Sequence, residues 1–167
     1  MQIVVMSDTH GDSHVIDRVR GFYPQVEIMI HCGDSELPFS HASLDGMKKV
    51  RGNCDLDKAF PEEIIVQAGD AALFVTHGHL FNVKSSMLAL SYRAKEVAAH
   101  IVCFGHSHLL GAEMIDDVLF INPGSLLKPR GGNEKSFAVI DIQASYFQVD
   151  FFTENNECMS THTFIRK

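Results

Sequence analysis

Residues 3–12 read Ile-Val-Val-Met-Ser-Asp-Thr-His-Gly-Asp. The four apolar residues predict a short buried strand, and polar residues follow it at once. The same pattern, an apolar run followed by Asp, His, Asn or Gly, recurs along the chain. The later runs and their polar segments are 26–30 with 31–34, 48–51 with 52–55, 72–75 with 76–79, 101–104 with 105–108, and 118–121 with 122–125. Because ligand sites in open α/β sheets gather beyond the carboxyl ends of strands, these segments predict one shared site.

Helices and late hairpins complete the predicted architecture. We expect helices at about 13–21, capped by Asp12 or Ser13, and at about 85–98, where apolar residues have helical spacing. Further strands are expected at 63–67, 113–116, 137–142, 146–152 and 161–165. Strands alternating with helices early and hairpins late favour an α/β fold, with two mixed β-sheets packed as a sandwich flanked by helices. The length of 167 residues suits one domain, residues 1–167.

The composition restricts the class of protein. Hydrophobic residues make up 46% of the chain and charged residues 21%, which is ordinary for a folded soluble protein. The net charge of −7 argues against a nonspecific nucleic-acid surface, which needs a basic face. It leaves room for a small anionic substrate, because bound cations can invert the local field. No apolar run approaches the roughly 20 residues of a membrane span, and no signal-peptide pattern is seen.

The cysteines indicate a reducing compartment. They occupy positions 32, 54, 103 and 158 and form no C-x-x-C pair, which excludes zinc-finger and thioredoxin-type motifs. Cys103 lies in an apolar run and is expected to be a small buried hydrophobic residue. We therefore expect a cytoplasmic protein. The sequence leaves the oligomeric state open, and a homo-oligomer is compatible with it.

The polar segments carry side chains that ligate metals. One residue separates Asp8 from His10, and one residue separates His106 from His108. In an extended chain, side chains at such i and i+2 positions point to the same side. Gly105 is expected to let the backbone turn sharply. Each fragment alone is more often a turn, a helix cap or a structural histidine. Together the ordered set D-x-H, G-D, G-N, H-G and G-H-x-H predicts a metal centre. The candidate ligands are Asp8, His10, Asp34, Asn53, His77, His106 and His108.

The donor atoms of these candidate ligands indicate which metals they prefer. Nitrogen and oxygen donors without thiolate favour Mn, Fe, Ni, Co or Zn over Ca or Mg. The carboxylate of Asp34 has two oxygens and could bridge two ions about 3.5–4 Å apart. Seven candidate ligands exceed the usual four of a structural zinc site. We expect two divalent transition-metal ions, with Mn²⁺ as first choice and Ni²⁺, Fe²⁺, Co²⁺ or Zn²⁺ as alternatives.

The ordered set resembles the calcineurin-like metallophosphoesterase superfamily. Nearly the whole chain resembles its small single-domain bacterial and archaeal phosphodiesterases of the YfcE/YsnB type. The segment Asn-Pro-Gly-Ser at 122–125, followed by Pro-Arg at 129–130, matches a motif of that branch. The resemblance implies a first metal held by Asp8, His10 and His108, with Asp34 shared. It also implies a second metal completed by Asn53, His77 and His106.

The resemblance implies a two-metal-dependent phosphoesterase, and foremost a phosphodiesterase with a small phosphodiester as substrate. Two adjacent ions lower the pKa of a shared water, and the bridging hydroxide is expected to attack phosphorus in line. The superfamily commonly has His after the Gly-Asn motif, where this chain has Cys54, which argues against strong monoesterase activity. The alternative is a protein-interaction scaffold with weak or no activity, because the superfamily includes a retromer subunit of that kind. The complete ligand set favours the enzyme.

Several further residues are candidates for catalysis and binding. Asn53, His79 and Cys54 are the catalytic candidates, and His79 could face the same cleft as His77. Ser125 and Arg130 are candidates for binding phosphate oxygens, since arginine suits bidentate recognition. The alternative for these two is a Pro-Gly turn with a solvated arginine. His31 is expected to support the ligands without binding metal, and Asp55 is either a supporting carboxylate or a cap.

Overall fold

The computed structural model describes residues 1–166 and arranges them as two β-sheets between two α-helices. The strands are β1 (Gln2–Met6), β2 (Ile28–His31), β3 (Lys48–Lys49), β4 (Glu63–Ala68), β5 (Ala71–Thr76), β6 (Ile101–Cys103), β7 (Gly111–Ile115), β8 (Val118–Asn122), β9 (Ser136–Ile142), β10 (Tyr146–Thr153) and β11 (Cys158–Ile165). The helices are α1 (Ser13–Phe22) and α2 (Leu88–Glu96), with 3-10 turns at Ala42–Leu44 and His79–Phe81. The predicted fold class is confirmed.

Both sheets are mixed. The six-stranded sheet has the order β11-β10-β9-β1-β2-β3, in which β1 runs parallel to β2 and antiparallel to β9. The five-stranded sheet has the order β4-β5-β6-β8-β7, with β5, β6 and β8 parallel to one another. Each sheet therefore has a group of neighbouring parallel strands that end at the same edge.

The apolar core has three layers. Ile3 and Val5 of β1 face the space between the sheets, where they meet residues such as Leu73 of β5. Val4 and Met6 face the other way and pack against α1. Helix α2 covers the outer face of the five-stranded sheet in a third cluster. Because β1 is buried on both faces, its sequence is a continuous apolar run without polar alternation.

The helix ends follow local hydrogen bonds. Helix α1 starts as predicted, since the Asp12 side chain accepts a hydrogen bond from the Val15 N–H at 3.1 Å. The predicted helix 85–98 is too long at both ends. The Ser86 hydroxyl accepts from the Leu88 N–H at 3.1 Å, so the helix begins at Leu88. Ala98 adopts a left-handed conformation, φ 51°, which ends it.

Among residues 1–166, neither α-helix has the length and apolar character that a membrane span requires. The four cysteines are free thiols. Cys103 is fully buried in the core between the sheets, as predicted.

Candidate metal centre

The segments that follow the parallel strands converge at one edge of the sandwich. The Asp8 N–H donates to the carbonyl of Gly33 at 3.0 Å, which joins the segments after β1 and β2. The Gly105 N–H donates to the carbonyl of His77 at 3.0 Å, which joins those after β5 and β6. The imidazole Nδ1 of His77 then donates to the carbonyl of Cys32 at 2.8 Å and links the two sheets. One shared site is therefore built from both sheets.

The backbone at the ligands is not extended. Asp8, His10, His106 and His108 have φ values of 56°, 42°, 67° and 60°, all in the left-handed region. The prediction that each pair lies on one side of an extended segment is therefore wrong. Asp8 and His10 still converge, whereas His106 and His108 diverge to the two ends of the site. Four non-glycine residues in a costly conformation are typical of a functional site, where surrounding contacts hold the strain.

Gly105 has a role different from the predicted one. Its φ is not in the left-handed region, so the backbone needs no glycine for a sharp turn. A Cβ atom at this position would overlap the hydroxyl oxygen of Ser7 and Oδ2 of Asp8. Gly105 is required because the loop after β6 passes directly against the Asp8 carboxylate.

A first ligand cluster comprises Asp8, His10 and His108, whose ligand atoms lie within 4.8 Å of one another. Oδ1 of Asp8 is 3.0 Å from Nε2 of His108, and the Nε2 atoms of the two histidines are 3.4 Å apart. Nδ1 of His108 donates to the carbonyl of Lys128 at 2.7 Å. A carbonyl only accepts, so the proton is on Nδ1 and Nε2 offers its lone pair to the site.

A second cluster comprises Asp8, Asp34 and His77. Nε2 of His77 lies 3.2 Å from Oδ2 of Asp34 and 3.9 Å from Oδ1 of Asp8. Oδ1 of Asn53 is 3.2 Å from the same nitrogen. Asp8, rather than Asp34, belongs to both clusters, and bridging by Asp34 stays a prediction.

His106 lies beside the second cluster and outside its set of close ligand atoms. Its ring centroid is 5.2 Å from that of His77 and 6.1 Å from that of His79. Burial, with the charges of His77 and Lys84, lowers the pKa of His106 to about 4, so its imidazole is neutral near pH 7. A neutral imidazole is the form that ligates metal.

The environment keeps the Asp34 carboxylate ionised. Burial by itself would raise its pKa, but the hydrogen bond and charge of His77 hold the pKa below its ordinary value. The backbone N–H of Cys54 adds to this effect by donating to Oδ1 of Asp34 at 2.7 Å. An ionised carboxylate at this position favours a bound cation.

The residues present fit divalent cations. Oδ1 of Asp8 is buried and has no hydrogen-bond donor of good geometry anywhere in residues 1–166. The Nε2 atoms of His10, His77 and His108 lie 3.9, 3.9 and 3.0 Å from this oxygen. A buried anionic oxygen without a partner is costly, and Nε2 of His108 is itself an acceptor because Nδ1 of that ring carries the proton. A cation explains why anion and lone pairs face one another.

A supporting carboxylate fixes the segments after β2 and β3. Asp55 accepts hydrogen bonds from the backbone N–H groups of Asp34, Glu36 and Gly52 at 2.8, 2.7 and 2.7 Å. Of the two roles left open for Asp55, the structure favours the supporting carboxylate. His31 is likewise buried behind the ligands, with its ring 3.0 Å from the Thr9 hydroxyl and 3.2 Å from the Gly33 nitrogen.

The Asn-Pro-Gly-Ser segment positions other loops. The Asn122 amide donates to the carbonyl of Gly105 and to the Ser107 hydroxyl, both at 2.9 Å. The hydroxyl of Ser125 donates to the carbonyl of Asp8 at 2.8 Å and is fully buried. This geometry contradicts the predicted contact between Ser125 and substrate, because the hydroxyl is occupied by the backbone. Arg130 is exposed, and its backbone N–H donates to the carbonyl of His108 at 3.1 Å.

The remaining catalytic candidates lie on either side of the clusters. The His79 ring is 5.3 Å from that of His77, and its buried Nδ1 has no partner among the described residues. The Cys54 thiol forms a further group with His10 and Glu36, and burial and the Asp34 charge raise its pKa to about 11. Sequence reasoning missed Glu36, which lies 3.2 Å from Nδ1 of His10. No motif spacing identifies it, since its position depends on a left-handed turn, φ 54°.

Comparison with known families agrees with this site. Residues 1–145 match the model of the calcineurin-like phosphoesterase superfamily domain. The chain belongs to this superfamily. It is 38% identical over 155 residues to the probable metallophosphoesterase YsnB of Bacillus subtilis, covering 92% of each chain. It is 28% identical to the Escherichia coli phosphodiesterase YfcE, covering 84% of this chain and 88% of that one.

Solved structures share the fold of this chain. A conserved protein of Streptococcus pneumoniae, described as a predicted phosphoesterase, aligns with a TM-score of 0.95 at 38% identity over 99% of this chain and 97% of its own. Vps29 of Chaetomium thermophilum aligns with a TM-score of 0.79 at 19% identity over 100% of this chain and 98% of its own. At that identity the second likeness concerns the fold alone.

Proposed function

We propose that this metallophosphoesterase is a two-metal-dependent phosphodiesterase. The observation that carries the proposal is the pair of ligand clusters joined at Asp8, whose buried Oδ1 has no hydrogen-bond partner within residues 1–166. The E. coli relative, named a phosphodiesterase, supports the same reaction class. The four free cysteines support a cytoplasmic location, where thiols stay reduced.

The ligands divide between two positions. Asp8, His10 and His108 would hold one ion, and Asn53, His77 and His106 the other, with Asp34 shared between them and Mn²⁺ as the expected metal. Bound there, divalent ions would supply Lewis-acid activation of water and neutralise phosphate oxygens. Nδ1 hydrogen bonds to backbone carbonyls orient His77 and His108 in advance, so their ring positions need no reorganisation.

Protonation of the leaving group is the step for which this chain is least equipped. The Cys54 thiol, with its pKa raised to about 11, is a poor acid near pH 7. His79 is half-buried beside His77, and burial lowers its pKa, so it too is mostly neutral there. We therefore propose phosphodiesters with good leaving groups, such as aryl esters, as the preferred substrates.

The test combines metal content with turnover. Protein purified and loaded with Mn²⁺ should bind about two ions per chain and hydrolyse bis-p-nitrophenyl phosphate. His106→Ala and His108→Ala should lose hydrolysis while keeping the native circular dichroism spectrum, because both residues lie in loops. His162→Ala, on the exposed face of β11, is the matched histidine control and should behave as wild type. Wild-type turnover in His106→Ala, or no bound metal in wild type, would overturn the proposal.

The scaffold alternative rests on the shared fold with Vps29 proteins. A scaffold needs neither two bound ions nor turnover. If Mn²⁺-loaded protein held metal but hydrolysed no phosphodiester in a broad substrate screen, the scaffold function would be favoured over the enzyme.

A further inference from the structure

A cavity of about 540 Å³ lies on the outer face of the five-stranded sheet, next to His106. Its walls are mainly apolar, formed by Val83, Met87, Phe104, Leu109 and Phe120. A volume of this size is in the range of pockets that receive small organic ligands. None of the candidate metal ligands lines it, so it is a compartment additional to the metal centre.

Gly111 keeps this cavity open. The register of β7 on β8 pairs Gly111 with Asn122 and Glu113 with Phe120, and all four residues line the cavity. A Cβ atom at Gly111 would meet nothing within 4 Å, and its φ is not in the left-handed region. The backbone therefore does not require glycine here, whereas a larger side chain would occupy the open space.

The cavity adjoins the metal centre through three contacts. Ser107, between His106 and His108, lines the cavity. Asn122 lines it too and donates to the Ser107 hydroxyl at 2.9 Å. The backbone of Arg130, a third lining residue, is bonded to the carbonyl of His108 at 3.1 Å. A molecule whose phosphate sits on the metals could therefore extend directly into the cavity.

Three charged residues line the cavity: two cations, Lys84 and Arg130, and one anion, Glu113 on β7, so the lining carries a net positive charge. Lys84 and Arg130 are exposed, and within residues 1–166 neither side chain forms an ion pair. Lys84 is close enough to His106 to act electrostatically on it. Two free cations beside apolar walls suit a ligand with an anionic phosphate and an apolar ester group.

We propose that this cavity receives an apolar, ring-sized ester group of the phosphodiester substrate, while Lys84 and Arg130 face the phosphate. This inference rests on the proposed phosphodiesterase function and specifies its substrate class. The apolar walls stabilise the ring by removing its surface from water. A dialkyl ester with small groups leaves the cavity unfilled and gains only the phosphate contacts.

The test uses diphenyl phosphate and dimethyl phosphate, two diesters with the same charge that differ in the size of their ester groups. Binding to Mn²⁺-loaded protein is measured by calorimetry, and inhibition is measured against bis-p-nitrophenyl phosphate. Wild type should bind diphenyl phosphate at least about tenfold more tightly than dimethyl phosphate. Gly111→Phe should remove most of that preference and leave the affinity for dimethyl phosphate unchanged. Lys84→Gln should weaken both ligands by the same factor.

The matched control is Gly21→Phe. Gly21 lies in α1, on the other sheet, and a Cβ atom there also meets nothing within 4 Å. This variant should keep the wild-type preference, which separates cavity filling from the general effect of a new aromatic side chain. Equal affinities for the two diesters in wild type, or an unchanged preference in Gly111→Phe, would overturn the inference. Absence of bis-p-nitrophenyl phosphate hydrolysis in wild type would instead overturn the proposed function, and calorimetry would still report on the cavity.

Discussion

The two oxygens of the Asp8 carboxylate have different roles: Oδ2 anchors the side chain, and Oδ1 faces the metal centre. Oδ2 accepts hydrogen bonds from the Ser7 hydroxyl at 2.5 Å and from the His106 N–H at 3.2 Å. The Asp8 carbonyl is held by the Ser125 hydroxyl. The side chain therefore cannot rotate without losing both Oδ2 hydrogen bonds, and Oδ1 is left aimed at the histidine nitrogens. A rigid, desolvated oxygen of this kind binds a cation with little reorganisation.

Gly105→Ala tests how tightly that carboxylate is enclosed. The added methyl group would overlap Ser7 Oγ and Asp8 Oδ2, which belong to two fully buried side chains that are hydrogen-bonded to each other. We expect a stability loss of about 1–3 kcal/mol, measured by urea denaturation, together with reduced Mn²⁺ binding. Gly21→Ala, at an open helical position, is the control and should be neutral or slightly stabilising. Full metal affinity in Gly105→Ala would show that the loop adjusts freely.

Cys54→His tests what sets the substrate preference. A positioned general acid typically contributes about 10²–10⁴-fold, and an imidazolium donates a proton far more readily at pH 7 than a thiol with a pKa of about 11. Wild type should hydrolyse an aryl diester faster than the matching aryl monoester. Cys54→His should gain on esters with poor leaving groups, whereas Cys54→Ser should resemble wild type. Equal wild-type rates on both esters, unchanged in Cys54→His, would show that Cys54 does not set the preference.

At the scale of elements, the sequence predicts more of the fold than of the site's internal geometry. Each predicted strand exists in the structure. The apolar runs indicate buried strands, and the Gly, Asp or Asn residues that flank them indicate where the strands end in turns. The ends of α2 were missed, since they depend on Ser86 and on a left-handed Ala98. The left-handed ligands were missed for a similar reason: their conformations are imposed by tertiary contacts such as those of Asp55 and Ser125.

The Asn122 side chain connects the end of β8 to the loop after β6. Asn122 ends β8, and its amide holds both Gly105 and Ser107. Asn122→Ala leaves the buried carbonyl of Gly105 and the half-buried hydroxyl of Ser107 without that donor, which should cost about 1–3 kcal/mol in the free energy of unfolding. The loop carrying His106 and His108 should also loosen, so the Mn²⁺ dissociation constant should rise. Asn133→Ala, at an exposed loop amide, is the control. Unchanged Mn²⁺ affinity in Asn122→Ala would show that the loop is held by other contacts.

At the scale of the whole molecule, metal binding should fasten the two sheets together. Asp8 and Asp34 follow strands of the six-stranded sheet, whereas His77 and His106 follow strands of the five-stranded sheet. Without metal, the polar link across this edge includes the hydrogen bond from His77 to Cys32. Ions shared by both sheets bind the native state and not the unfolded chain, so they raise stability by mass action.

Thermal unfolding with and without Mn²⁺ measures this coupling. At a free Mn²⁺ concentration about 100 times the dissociation constant, one site adds about 2.7 kcal/mol, which is a rise in Tm of about 5–10 °C for a domain of this size. A chelator should reverse the rise. Asp34→Asn should lose most of it, because an amide in place of the carboxylate removes the charge that the ion requires, while His162→Ala should keep it in full. An equal rise in wild type and Asp34→Asn would mean that Mn²⁺ acts elsewhere on the protein, and that Asp34 does not join the sheets through a metal.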